Sequence, residues 1–177
     1  MNLKLFCLKG DDNNYFNKYI QYSCFVKNLI DQIENFPIHL DEFVQRLNEN
    51  DLSTTIRDGA WTIRQSIHHL VDSHTNSYIR IKSCLVEDNP IIQPYKEENW
   101  AELPDSNSMP VLNSLIIVQG LHKKISYLLN NLSPAQWERK LTHPEVGELT
   151  LESYVKIFAD HGYLHLNSMK NRLNWDL

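Results

Sequence analysis

The segment Tyr154-Val155-Lys156-Ile157-Phe158-Ala159-Asp160-His161-Gly162-Tyr163-Leu164-His165-Leu166-Asn167-Ser168-Met169 decides the reading of this chain. At about 100° per residue, a helix gathers Tyr154, Ile157, Phe158, His161, His165 and Met169 on one side, so both imidazoles are expected to point inward. Two inward imidazoles at i and i+4 can grip one cation from adjacent turns, and catalytic zinc takes three protein ligands beside an open position. The pattern points to a buried metal ion whose third ligand lies elsewhere. The competing reading is a pair of core histidines satisfied by hydrogen bonds. A metalloprotease is disfavoured, because Gly162 stands where that motif needs a glutamate as general base.

A chain of 177 residues fits one domain, residues 1–177, large enough to bury a core without staples. With 42% hydrophobic and 22% charged residues it reads as an ordinary globular protein. A net charge of −5 without a Lys/Arg cluster argues against nucleic acid and anionic membrane as partners. Cys7, Cys24 and Cys84 are odd in number and widely spaced, which argues against a disulfide framework or a cysteine zinc cluster and for a reducing cytoplasm. The mildly apolar run Met1 to Lys9 is too short for a secretory signal, and no stretch approaches the roughly 20 apolar residues that span a bilayer. Neither export nor membrane insertion is expected.

Helical periodicity recurs along the chain and strand alternation does not, so the expected class is all-α. A first helical region runs from about Tyr15 to Asn48, bent or split at Pro37, which removes a backbone donor. A polar connection from Asp51 ends in the turn signal Arg57-Asp58-Gly59. The second helix spans about Thr62 to Leu85, and a loop punctuated by Pro90, Pro94 and Pro104 runs from Glu87 to Pro110. A third helix from Pro110 to about Asn131 is expected to bury Val111, Leu115, Val118, Leu121, Ile125 and Leu128. Ser133-Pro134 opens a short helix through Trp137, Thr142 to Leu149 is a loop, and the last helix runs from near Thr150 to near Leu173. Four major helices imply a four-helix bundle with a long loop between the second and third, and bundle cores commonly house metal sites.

The second helix offers His68, His69 and His74 as the missing ligand. His74 lies within its apolar stripe of Ile63, Ile67, Leu70, Val71, Tyr78, Ile81 and Leu85. His69 falls on another face with Thr62, Ser66, Ser73, Asn76 and Arg80, whose small hydroxylic members leave room for an ion and a substrate but equally suit a solvated surface. Spacing does not choose between His69 and His74, and it ranks His68 behind both.

The run Arg57-Asp58-Gly59-Ala60-Trp61-Thr62-Ile63-Arg64-Gln65-Ser66-Ile67-His68-His69-Leu70-Val71-Asp72-Ser73-His74, continuing Asn76-Ser77-Tyr78-Ile79-Arg80, resembles the YfiT branch of the DinB superfamily. Glu87-Asp88-Asn89-Pro90, Pro94-Tyr95, Trp100-Ala101-Glu102-Leu103, His143-Pro144-Glu145 and the final His161-x-x-x-His165 continue the likeness in order, over roughly Glu34 to His165. The resemblance implies a four-helix bundle holding one divalent metal, Zn2+ or Ni2+, through His69, His161 and His165. It implies a homodimeric enzyme, labelled provisionally in that family as a metal-dependent hydrolase. Better understood relatives are similar to thiol S-transferases that join a low-molecular-weight thiol such as bacillithiol to small electrophiles. The segment Met1 to about Tyr19 departs from the family's opening.

Three neutral imidazoles leave the full charge on the ion, so either a water or a thiol in its open position becomes a nucleophile near neutral pH. One site therefore serves thiol transfer or, as the alternative, hydrolysis of a small substrate. A non-catalytic binding module organised by the metal is the third reading, and it calls for a fourth protein ligand. Asn76 and Arg80, two and three turns beyond His69, are candidate substrate residues, with Arg80 suited to a carboxylate. Asp72, Asp160 and Glu145 are candidates to orient ligand imidazoles, though solvated or capping roles suit each better. Tyr95 and Trp100 either close over the pocket or pin the loop, Trp61 is a packing anchor, and His74 is a hydrogen-bonded core or interface histidine. His39, His122 and His143 show no partner pattern.

Overall fold

Side-chain caps set the main helix boundaries in the computed structural model, which describes residues 14–57 and 59–175, with side chains from residue 21 onward. Residues 1–13 of the atypical opening, and Asp58 of the expected turn, lie outside the described residues. Helix α1 covers Asn14–Val44, and α2, Glu49–Ser53, is opened by an Asn48 and Asp51 capping box. Between α2 and α3, Gly59 adopts φ +71 and the Ala60 N–H donates to the Arg57 carbonyl at 3.0 Å, closing a tight turn. Helix α3, Ile63–Val86, starts where Thr62 and Gln65 cap each other reciprocally. The expected long loop carries two short helices, α4 (Glu97–Ala101) and α5 (Pro104–Asn107). Helix α6 spans Val111–Asn130 with Pro110 at its N-cap, and α7 spans Pro134–Trp137. The Thr150 side chain caps α8, Leu151–Arg172.

The expected loop from Thr142 to Leu149 instead belongs to an antiparallel hairpin, β1 (Lys140–His143) and β2 (Gly147–Thr150), in register from Lys140 opposite Thr150 to His143 opposite Gly147. Four-residue strands are too short for alternation to show in sequence, but Gly147 at φ +89 lets the chain reverse. Cys84 is a buried free thiol and Cys24 is disulfide-bonded, a single bond where cysteine number and spacing argue against a disulfide framework. Among the described residues no helix is long and apolar enough to cross a membrane.

The four long helices form the bundle. Both α1 and α3 pack against α6 and α8, so the order around the bundle is α1, α6, α3, α8 and consecutive long helices are not always neighbours. The core divides into two apolar clusters, one around Ile33, Ile81, Ile125 and Phe158, the other around Phe36, Ile67, Val118 and Leu166. Pro37 leaves α1 continuous. The missing donor shows up one turn earlier, because the Ile33 carbonyl that would accept from residue 37 instead takes a hydrogen bond from His122 Nδ1 at 2.6 Å. Gly162 is required by packing, since a Cβ there would lie 2.8 Å from the Phe36 ring.

Candidate metal centre

Helices α3 and α8 bring three imidazoles to the lining of an open cleft of about 1050 Å³. His69, His161 and His165 each offer a ligand nitrogen, and these atoms all lie within 4.8 Å of one another. Their ring centroids are 5.5 Å apart for His69 and His161, 4.9 Å for His69 and His165, and 4.6 Å for His161 and His165. Nε2 of His161 stands 3.2 Å from Nε2 of His165. Two lone pairs at that separation repel unless a proton or a cation lies between them. Nitrogen ligands on a tetrahedral ion sit about 3.3 Å apart, and the His161–His165 separation matches that spacing. No fourth His, Cys, Asp or Glu joins it among the described residues.

Electrostatics favour the ligand form of each ring. Burial, then the neighbouring His165 and His161, pushes His69 down to about 3. Burial and His165 push His161 down to about 4, and burial lowers His165. The rings are therefore neutral at physiological pH, as coordination demands.

His161 and His165 do not share the apolar stripe as expected. The buried line of α8 runs through Val155, Phe158, Gly162, Leu166 and Met169, and the two histidines flank it, half-buried at the cleft wall. Ile157, expected inside, is exposed. His69 is buried at 3% exposure on the face that carries Ser66 and Ser73. The Trp61 ring lies 4.7 Å from it, and the indole N–H donates to Glu98 at 2.8 Å, so Trp61 forms a wall of the cleft as well as packing. The Tyr95 hydroxyl approaches His69 Nδ1 at 3.5 Å, and Trp100, partly exposed, packs on Tyr95 with rings 4.8 Å apart.

The remaining histidines take other partners. His68 is held by Ser114 Oγ at 2.7 Å and the Met109 carbonyl at 3.0 Å. His74 is fully buried and meets His122, for which the sequence reading found no partner, at 2.8 Å. His39 bonds Tyr163, and His143 accepts from the Glu145 N–H. Asp160 pairs with Lys156, and Asp72, half-buried, is raised to about 6 by burial and Asp105.

Arg80 lines a smaller cavity of about 190 Å³ with Ser77, Tyr95, Glu97, Tyr154 and His161, the last of which also borders the main cleft. Its Nη2 donates to the Gln93 carbonyl at 2.8 Å and its Nη1 reaches Tyr154 Oη at 3.5 Å, while its Nε is buried without a partner. Asn76 donates to the Asp72 carbonyl and borders a separate cavity of about 250 Å³ beyond Arg80.

A sequence profile of the DinB superfamily matches residues 32–169. A Bacillus mycoides protein provisionally named a metal-dependent hydrolase is 47% identical over 149 residues, covering 82% of this chain and 86% of its own. A Bacillus cereus protein with the same provisional name is 46% identical over the same shares. The solved structure of YfiT from Bacillus subtilis, described as a probable metal-dependent hydrolase with an unusual four-helix bundle topology, superposes with a TM-score of 0.80 at 32% identity, covering 97% of this chain and 95% of that one. By sequence and by fold, the chain belongs to the DinB superfamily.

Proposed function

We propose that His69, His161 and His165 hold one divalent ion, Zn2+ or Ni2+, in a metal-dependent enzyme that activates a low-molecular-weight thiol, of the bacillithiol kind, for attack on small electrophiles. One observation carries the reading: three neutral imidazoles converge within 4.8 Å at an open cleft, and no fourth His, Cys, Asp or Glu joins them among the described residues. A bound ion supplies Lewis acidity, lowering the pKa of a thiol or water in its open position. The chain supplies the rest. The buried His69 and the half-buried His161 and His165 keep three neutral nitrogens in place, and Trp61, fixed to Glu98, shields one side of His69 from water. The cleft of about 1050 Å³ is at the upper end of ordinary ligand pockets, which leaves room for two reactants.

Arg80 has no carboxylate within ion-pair distance among the described residues, so its guanidinium suits an acidic group of the thiol or of the electrophile. Asn76 takes part, on this reading, only from the far side of Arg80. Homodimerisation, as the family resemblance implies, is part of the proposal, with the exposed Leu112 and Ile116 of α6 as an apolar face for the partner. A reducing cytoplasm would keep a thiol co-substrate available, and the bonded Cys24 is the feature that location must accommodate.

Hydrolysis of a small substrate is the second reading, favoured by the provisional names of the relatives. Zinc- or nickel-loaded protein given 1-chloro-2,4-dinitrobenzene with and without bacillithiol separates the two. Thiol-dependent turnover supports transfer, and turnover indifferent to the thiol refutes it. A non-catalytic module would show a fourth protein ligand and no exchangeable position.

A further inference from the structure

A buried chain of hydrogen bonds runs from α1 through α6 to α3 and ends in an unused lone pair. Pro37 lacks an N–H, which frees the Ile33 carbonyl, and a carbonyl only accepts. The 2.6 Å contact therefore places a proton on His122 Nδ1. His122 is neutral, since burial pushes it down to about 4, so its Nε2 is an acceptor. The 2.8 Å contact then makes His74 Nδ1 the donor to His122 Nε2. His74 is left with a bare Nε2, which is buried and has no partner. Phe36 and Phe158, one from each apolar cluster, hold the His74 ring edge-on at 5.3 and 4.9 Å.

A buried acceptor without a donor costs about 1–3 kcal/mol and calls for an explanation. His161 supplies one. Its Nε2 is committed to the ligand cluster beside His165 Nε2, so the proton of the neutral ring belongs on Nδ1. Its ring lies edge-on to His74 with centroids 5.8 Å apart, about an ångström farther than the bonded His74 and His122 rings at 4.9 Å. Histidine ligands almost always pass their second N–H to an acceptor that fixes tautomer and orientation.

We infer that His74 is a positioning residue: its Nε2 accepts the Nδ1–H of His161 when the site is loaded, so that the Ile33 carbonyl, His122 and His74 together hold His161 with Nε2 turned to the cleft. The inference rests on the metal reading of the cluster and requires the His161 ring to close on His74. Zn2+ itself is the probe. Competition against a chromophoric chelator should give His74→Leu a zinc affinity about 10- to 100-fold below wild type, with His74→Gln, which keeps an acceptor, recovering part of the loss. Long-range 15N–1H spectra of zinc-loaded wild type should show His122, His74 and His161 all protonated on Nδ1, together with a 15N–15N coupling across the hydrogen bond between His161 Nδ1 and His74 Nε2, which the tautomers alone do not produce. A His74→Leu loss under tenfold, absence of the His161–His74 coupling, or a proton on Nε2 of His74 or His161 overturns the inference while leaving the metal centre intact. Wild type that binds no zinc overturns the metal reading and this inference with it. If His74→Leu fails to fold, the wild-type spectra still decide.

Discussion

Two groups of histidines sit within one bundle and differ in what completes them. His74 and His122 are fully buried between the two apolar clusters, and all but one of their ring nitrogens has a fixed role ending on a backbone carbonyl. His69, His161 and His165 stand on the flanks of α3 and α8 and border an open cleft, and the Nε2 atoms of His161 and His165 lie 3.2 Å apart, close enough for their lone pairs to repel. Burial alone therefore does not mark a ligand. His122 finds a carbonyl and becomes part of the core, whereas His161 and His165 find each other beside an opening, the arrangement the proposed cation would use.

The largest contrast comes from deleting one ring in each group. His69→Ala should abolish metal retention and turnover together, read by elemental analysis of dialysed protein, whereas His122→Phe should keep the ion; the reverse pattern would exchange the roles of the two groups. Acid should probe the core group next. The neutral folded form of His122 lies at about 4 against about 6.5 when unfolded, so the unfolded chain binds the extra proton between those values. Stability from this group is complete above about pH 6.5 and falls as pH drops toward 4, by on the order of 3 kcal/mol. Urea titrations of metal-free protein at pH 7 and pH 4.5 should show that decline for wild type and a smaller one for His122→Phe, and equal declines would contradict it.

Gly162→Ala sharpens the contrast between core and cleft. The added methyl would press on Phe36, which packs against both His74 and His122, and overpacking of this kind costs about 1–3 kcal/mol. A lowered urea midpoint with unchanged metal stoichiometry is the expected result, and unchanged stability would show that the Phe36 contact yields freely. The smallest effect is expected at Arg80→Met, which should raise KM for a carboxylate-bearing thiol roughly tenfold, the loss of one charge-assisted hydrogen bond, with little change in kcat. An unchanged KM would remove Arg80 from substrate binding.

Much of the fold was legible because caps are local chemistry. Thr62 with Gln65, Ser133 with Gln136, and Thr150 each open a helix within a residue or so of where periodicity puts it. The hairpin at 140–150 was missed because its strands are four residues long, and the small helices α4 and α5 because their packing on α3 gives no periodic signal. On α6 the stripe was set a fraction of a turn off. Leu115, Val118, His122, Ile125 and Leu129 recur at alternating steps of three and four, and that spacing would have placed His122 in the core had a histidine been admitted as a core residue. At the site, His161 and His165 stood out by their spacing. The choice of His69 over His74 came from the family resemblance, because periodicity reports which face is buried and not which face opens on a cleft.

The most direct test is X-ray absorption and anomalous diffraction at the zinc edge on protein crystallised with stoichiometric Zn2+. One ion per chain, held by nitrogens of His69, His161 and His165 with its remaining position filled from solvent, is the result expected here. An ion bound elsewhere, an ion enclosed by four side chains of the protein, or three imidazoles that stay empty in the presence of zinc would contradict the account.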